Sequence, residues 1–350
     1  PQLADESDKR TVYMVDMHEP LMFLHNLDTT IKEPFASNPA VLDAVERNHR
    51  KLQIAMTKLY PGNLVLSLSS GIMYHRLVDR ITALNDVPRE PLVPRRLGKN
   101  MCVPFGKILR GKVVPNTVTK TLHTDKVYEP DLSSFTIEPF PYYSPLKSQI
   151  ETIKSFDRPV ILVDDLVHTA NRLQVLVPQL REDGIPIKKV VVGVLSGYGR
   201  DLMQCLKVPV ESIYSMPNLR QWFVESTLYP FIGGDTVRRE EMKVAGLQPS
   251  INMILPYATP RLSGCSREAL VEFSACCIEN SKNLFQVLEA EYRKMYAKNL
   301  TLSRLSEAVI LPLCPDKGSC MEYDENLAAS VYLENDLETL WRMKEFMIKG

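Results

Sequence analysis

Val160-Ile-Leu-Val-Asp164-Asp165-Leu-Val-His168-Thr169-Ala170-Asn171-Arg172-Leu173 is the stretch that decides how this chain reads. It has three parts. An apolar run, Pro159 to Val163, predicts a buried strand that delivers two adjacent acids, Asp164 and Asp165, at its carboxyl end. A short loop carrying the hydroxyl of Thr169 follows. A helix then starts, predicted to reach Leu180 and to stop at Gly184 and Pro186. In open α/β sheets, ligands bind beyond the carboxyl ends of the strands. The N–H groups of a helix start receive phosphate. Two carboxylates repel a bare phosphate, but they accept hydrogen bonds from sugar hydroxyls or help to hold a metal. The combination suits a sugar phosphate with vicinal hydroxyls, with the acids on the diol and the loop on the phosphate.

Working outward, Lys189 to Leu195 (KVVVGVL) reads as the next strand. Strand, helix and strand in succession argue for a parallel sheet with helices packed on it. Upstream, Asn38-Pro39 caps a helix that runs through Val41, Leu52 and Leu59 and stops at Pro61-Gly62. Asn63 to Leu68 is a short strand, Ser69-Ser70-Gly71 a turn, and Ile72 to Leu84 a helix. Residues 88–145 differ: prolines, short β-prone pieces and two basic clusters predict strands and long loops. Past Pro249, Arg267 to Lys298, Ser303 to Ile310 and Leu327 to Ile348 read as helices. The expected organisation is an N-terminal extension (1–37) with a short strand at Thr11 to Met17 and irregular chain to Ala36. An α/β domain (38–248) containing the 88–145 insertion follows, and a helical C-terminal region (249–350) ends the chain.

At the acidic stretch the sequence resembles the PRPP-binding motif of the type I phosphoribosyltransferases. That motif is a hydrophobic strand, two acids, two aliphatic residues (here Leu166 and Val167) and a small hydroxyl-rich loop. His168 stands where a small residue is usual, and Ala170 replaces the commoner glycine. The resemblance implies a central parallel sheet flanked by helices, a PRPP or nucleotide ligand, and Mg²⁺ held mainly by the pyrophosphate near Asp164 and Asp165. Asp164 and Asp165 would grip the ribose. His168, Thr169, Ala170, Asn171 and Arg172 would form the 5′-phosphate loop. Ser69, Ser70 and Gly71 would cradle the pyrophosphate. A flap over Arg110 to Lys126, with Lys112, Lys120, His123 and Lys126, would close on it. Downstream, Phe231 would stack on a base, the other reading being a core aromatic before a tight turn; Gly233-Gly234 would admit close backbone approach, and Asp235 would sit near the base or organise the site. Gly197-Tyr198-Gly199 is a further candidate loop. The implied activity is phosphoribosyl transfer to a nitrogenous acceptor or the reverse phosphorolysis; binding without turnover, in a regulatory module, is the alternative. A metal-dependent hydrolase using the two aspartates is a weaker third reading.

Composition bounds these readings. The chain has 350 residues, 45% hydrophobic and 24% charged, which excludes wholesale disorder. Lys+Arg and Asp+Glu both number 42, so no global basic field recruits nucleic acid. No apolar run approaches the ~18–20 residues of a membrane span. The seven cysteines form no CxxC pair, the six histidines no ligand cluster in sequence. Free thiols fit a reduced, cytoplasmic protein. The chain opens on Pro1 without an initiator Met, which suits a processed protein or part of a longer one. The helical end is an expected assembly surface, for a homo-oligomer or for further domains.

Overall fold

The structure, a computed structural model, describes residues 16–93, 96–109, 112–169, 171–239, 244–260, 262, 264–318 and 322–349. In chain order the strands and helices are β1 (Asp16–His25), α1 (Pro39–Leu59), β2 (Asn63–Ser69), α2 (Ser70–Leu84), β3 (Met101–Pro104), β4 (Val118–Thr119), β5 (Thr124–Tyr128), β6 (Phe135–Pro139), α3 (Leu146–Lys154), β7 (Val160–Val167), α4 (Asn171–Glu182), β8 (Ile187–Ser196), α5 (Gly197–Cys205), β9 (Val210–Met216), β10 (Gln221–Val224), β11 (Asp235–Val237), β12 (Gln248–Ile251), α6 (Arg267–Tyr296), β13 (Leu313–Pro315) and α7 (Ala329–Lys349). The chain is mixed α/β, with parallel strands flanked by helices. Among the described residues no helix is long and apolar enough to cross a membrane.

Three sheets form. The central sheet has the order β4-β3-β7-β8-β9 and is parallel throughout, so β7 is its middle strand. The N-terminal sheet, β10-β1-β2, is also parallel. A mixed sheet, β13-β12-β11-β5-β6, carries the hairpin of β5 and β6.

Strand alternation explains how these layers stack, since successive side chains point to opposite faces. On β7, Val160 and Leu162 face one core with α3, α4 and α5. Ile161 and Val163 face another, shared with α2 and with Met22 and Leu24 of β1. On β1, Leu21 and Phe23 turn the other way, into the core built by α1, α6 and α7. Helix α2 is therefore the layer between the two parallel sheets. Gly193 of β8 makes this approach close: a Cβ there would lie 2.1 Å from Met73 Sδ and 2.6 Å from the Asp165 carbonyl.

Several expectations change. The strand at the acids does not stop at Val163; its ladder with β8 continues through Asp164↔Val192 to Val167↔Leu195, because backbone pairing is indifferent to side-chain charge. The predicted N-terminal extension holds β1, the middle strand of a sheet, so it belongs to the folded body. Residues 11–15 of the expected first strand lie outside the described residues. A boundary at 248/249 would cut β12, which pairs with both β11 and β13. The C-terminal helices share one core with β1 and α1, and Ser303 to Ile310 is mostly a short 3₁₀ helix, Leu302–Glu307.

Candidate functional site

The middle strand brings Asp164 and Asp165 to the edge of a polar cluster. Asp164 is 5% exposed. Its Oδ1 accepts from Arg172 Nη1 at 2.9 Å and from the Asp165 N–H at 3.0 Å. Arg172 stands in the first turn of α4, so the helix start itself supplies the cation. Its guanidinium also lies over the Phe105 ring, 5.8 Å from the centroid. Burial pushes the Asp164 carboxyl up to about 7; Arg172 opposes that rise and Asp165 adds to it. Asp165 is less buried, and its Oδ1 accepts from the Leu166 N–H at 2.7 Å.

The residues expected to receive the 5′-phosphate already have side-chain partners. Thr169 is exposed; its hydroxyl accepts from Asn171 Nδ2 at 2.8 Å and its carbonyl from Gln174 Nε2 at 2.8 Å. His168 Nδ1 is 2.8 Å from Ser196 Oγ, the hydroxyl that caps α5. Burial lowers the His168 pKa, which favours the neutral imidazole. Ala170 lies outside the described residues.

From β5 and β11 come further charges. Lys126 Nζ is 4.0 Å from Asp235 Oδ2, and Thr236 Oγ1 donates to Asp125 Oδ2 at 2.5 Å. Burial raises the Asp235 pKa, countered by Lys126 and reinforced by Asp125; the field of Arg172 reaches it too. Asp235 thus shares an electrostatic neighbourhood with the acidic pair across 70 residues of sequence. The hairpin of β5 and β6 is no free lid, because β5 is paired in parallel with β11. Of the expected flap, Arg110 is outside the described residues. The Lys120 N–H donates to the Cys102 carbonyl.

Beside these residues a cleft of about 330 Å³ opens at the carboxyl ends of β3 and β4. Lys107, Lys112, His123, Phe140 and Tyr143 are among its lining residues. His123 stacks on Tyr143 at 3.7 Å between centroids. Burial, helped by the charge of Lys120, lowers the His123 pKa. Aromatic faces and cations can receive a flat ring and a phosphate, and the neighbouring carboxylate pair the hydroxyls of a sugar.

Three predicted positions go elsewhere. Ser69, Ser70 and Gly71 are not on the strand beside β7. That neighbour is β3, whose exit loop passes through Gly106 with φ +55°. Ser69 instead ends β2 and caps α2, its hydroxyl accepting from the Ile72 N–H, and Ser70 is fully buried. Phe231 is also fully buried, edge-on to Phe285 and Tyr323, so it is a core residue with no face for a base. Gly199 sits in the first turn of α5, where a Cβ would lie 2.1 Å from the Val167 carbonyl; the glycine serves helix–strand packing. Phe105 and Asp125 carry no signal in the sequence, and Lys107 shows there only as the start of a basic cluster. Met101–Pro104 is four residues long and lies among prolines, so nothing in its pattern announced a central strand.

No protein-family model matches the chain, and no curated protein does. Among solved structures, a purine phosphoribosyltransferase from Pyrococcus horikoshii Ot3 is similar over 44% of this chain and 87% of that chain, at 14% identity and a TM-score of 0.27. A superposition that loose fixes neither fold family nor activity.

Proposed function

We propose that the central sheet binds a phosphorylated pentose, PRPP or a nucleotide, and transfers the phosphoribosyl group to a nitrogenous acceptor. The observation that carries this reading is the pair Asp164-Asp165 on the middle strand of a five-stranded parallel sheet, beside a cationic and aromatic cleft. Asp165, the less buried acid, accepts hydrogen bonds from the ribose hydroxyls. Lys107 and Lys112 face the leaving pyrophosphate, and Tyr143 stacked on His123 offers a face to the acceptor ring.

As the bond from C1 to the pyrophosphate oxygen breaks, positive charge develops at C1 and negative charge on the departing oxygens. Carboxylates near C1 favour the first, and lysines the second. The acceptor nitrogen then bonds to C1. Magnesium, carried on the pyrophosphate, would neutralise its charge, and Asp165 would meet its hydration shell.

A second reading, binding without turnover, is favoured by one observation. Asp164 is already held by Arg172, and the Thr169 hydroxyl by Asn171. Calorimetry with PRPP, with and without Mg²⁺, on the parent and on Asp165→Asn tests the site. Magnesium-dependent binding weakened about tenfold or more in the variant supports it. A folded parent that binds neither PRPP nor any nucleotide rejects it. Binding without product across a panel of bases selects the second reading.

A further inference from the structure

At the carboxyl end of the N-terminal sheet, three residues far apart in sequence converge. His25 is the last residue of β1, Glu225 directly follows the neighbouring strand β10, and His49 projects from α1. One ligand atom from each lies within 4.8 Å of the others. We infer that His25, His49 and Glu225 form a binding site for a divalent transition-metal ion, zinc foremost. This site is independent of the central-sheet cleft.

Distances carry the first argument. Glu225 Oε2 is 3.3 Å from His25 Nδ1, and Oε1 is 3.5 Å from His49 Nδ1. Direct charge-assisted hydrogen bonds are shorter, about 2.7–2.9 Å. Ligand atoms about 2.0–2.1 Å from a tetrahedral zinc lie about 3.3 Å from one another; each histidine stands at about that distance from one of the two Glu225 oxygens, and all three ligand atoms fall within 4.8 Å. The two imidazole rings are in direct contact, 3.1 Å between ring centroids.

Burial carries the second. The Glu225 side chain is 2% exposed and its ion-pair partners are these two histidines. His25 Nε2 and Glu225 Oε1 are buried without a hydrogen-bond partner. A buried carboxylate with an unpartnered oxygen is costly, and a cation beside it removes the cost.

The surroundings complete the design. Asn26 and Ser226, which directly follow His25 and Glu225, bind each other twice. Asn26 Nδ2 donates to Ser226 Oγ at 2.9 Å, and the Ser226 N–H donates to Asn26 Oδ1 at 2.9 Å. Two ligand-bearing strand ends are thereby fixed in register. Gln53 meets His49 Nε2 at 3.2 Å and Ser67 Oγ at 2.7 Å. Turned end for end, that amide would accept from both, as an imidazole ligating through Nδ1 requires. His25 and His49 keep 15% and 23% side-chain exposure, which opens the fourth position to water. Two imidazoles and one carboxylate with an open position are the donor set of hydrolytic zinc sites.

The test uses the full chain, stripped with chelator and titrated with Co²⁺ and then Zn²⁺. The expected result is one cobalt per chain with visible d–d absorption, displaced by zinc, and a melting temperature that rises with zinc. His49→Gln should weaken uptake by about a hundredfold or more while its circular dichroism stays that of the parent. Glu225→Gln should do the same; if it fails to fold, His49→Gln and His25→Gln decide. Absence of stoichiometric uptake by the parent overturns the site. Uptake undiminished in the folded histidine variants also overturns it, by placing the metal elsewhere, for example on the cysteines.

Discussion

Two parallel sheets in this molecule each present a polar cluster at the carboxyl side of their strands, and they are built in opposite ways. In the central sheet the acids and their cation come from one stretch: Asp164, Asp165 and Arg172 span nine consecutive positions. In the N-terminal sheet His25, His49 and Glu225 come from a strand end, a helix and a second strand end, and two of them are 200 positions apart. The first cluster can be read as a word; the second exists only once β1 has paired with β10. A strand–loop–helix unit writes its chemistry in consecutive letters because the ligand meets one turn. A site between parallel strands draws on strands whose sequence separation the fold alone fixes.

The comparison can be broken at several points, in order of expected effect. Phe231→Ala should cost about 3–5 kcal/mol of stability in denaturant titration, because it empties a fully buried aromatic site. PRPP affinity of the folded fraction should stay unchanged; a selective loss of affinity would return Phe231 to the ligand site.

Asp164 comes next, through pH. Its folded pKa is raised from 3.8 to about 7, so between those values the folded chain holds a proton that the unfolded chain has released. Stability from this group is therefore fully present below about pH 4, falls as pH rises, and levels off above about 7. The loss amounts to about 4 kcal/mol at most. Urea melts of the parent and Asp164→Asn across that range should diverge accordingly, the variant lacking this decline. Parallel curves would remove the buried proton from the account.

Arg172→Leu should follow, with a loss of about 2–3 kcal/mol at neutral pH, less than for a fixed buried ion because Asp164 can take up a proton instead. Asn26→Ala should have the smallest effect, about 1 kcal/mol of stability from the lost reciprocal bonds. It sharpens the comparison most, since cobalt affinity should fall with it while PRPP affinity does not.

Local signals were legible wherever the chain punctuates itself. Asn38-Pro39 announced α1, and Asn38 Oδ1 does accept from the Ala40 and Val41 N–H groups. The run Lys189 to Leu195 lies within β8, and Arg267 to Lys298 encloses α6. What stayed hidden has physical reasons. β1 opens Asp16-Met17-His18-Glu19-Pro20, so its continuous apolar run shrinks to four residues, Leu21 to Leu24. β3 is as short and stands among prolines. The choice of β3 over β2 as the neighbour of β7 is a tertiary fact, and assigning Ser69 to Gly71 to the pyrophosphate depended on it. The sequence leaves Phe231 between a base-stacking ring and a core aromatic before a tight turn, and its full burial decides for the core. A Cβ at Gly233 would lie 2.1 Å from the Ser226 carbonyl, so that glycine serves close backbone packing.

The position of β1 between β2 and β10 has a consequence for the order in which this protein can take shape. Every strand of the central sheet lies between Met101 and Met216, so that sheet can close while the ribosome is still far from the end of the chain. β1 has one flank covered early, by β2, and waits for residues 221–224 to cover the other. The core beneath it waits longer still, for α6 and α7. Until then the row Leu21 to Leu24 is an open edge, the kind of surface on which nascent chains stick to one another. The acidic pair thus matures as a property of a growing chain and the histidine pair as a property of a finished one; any metal captured there would mark chains whose synthesis has run past Glu225.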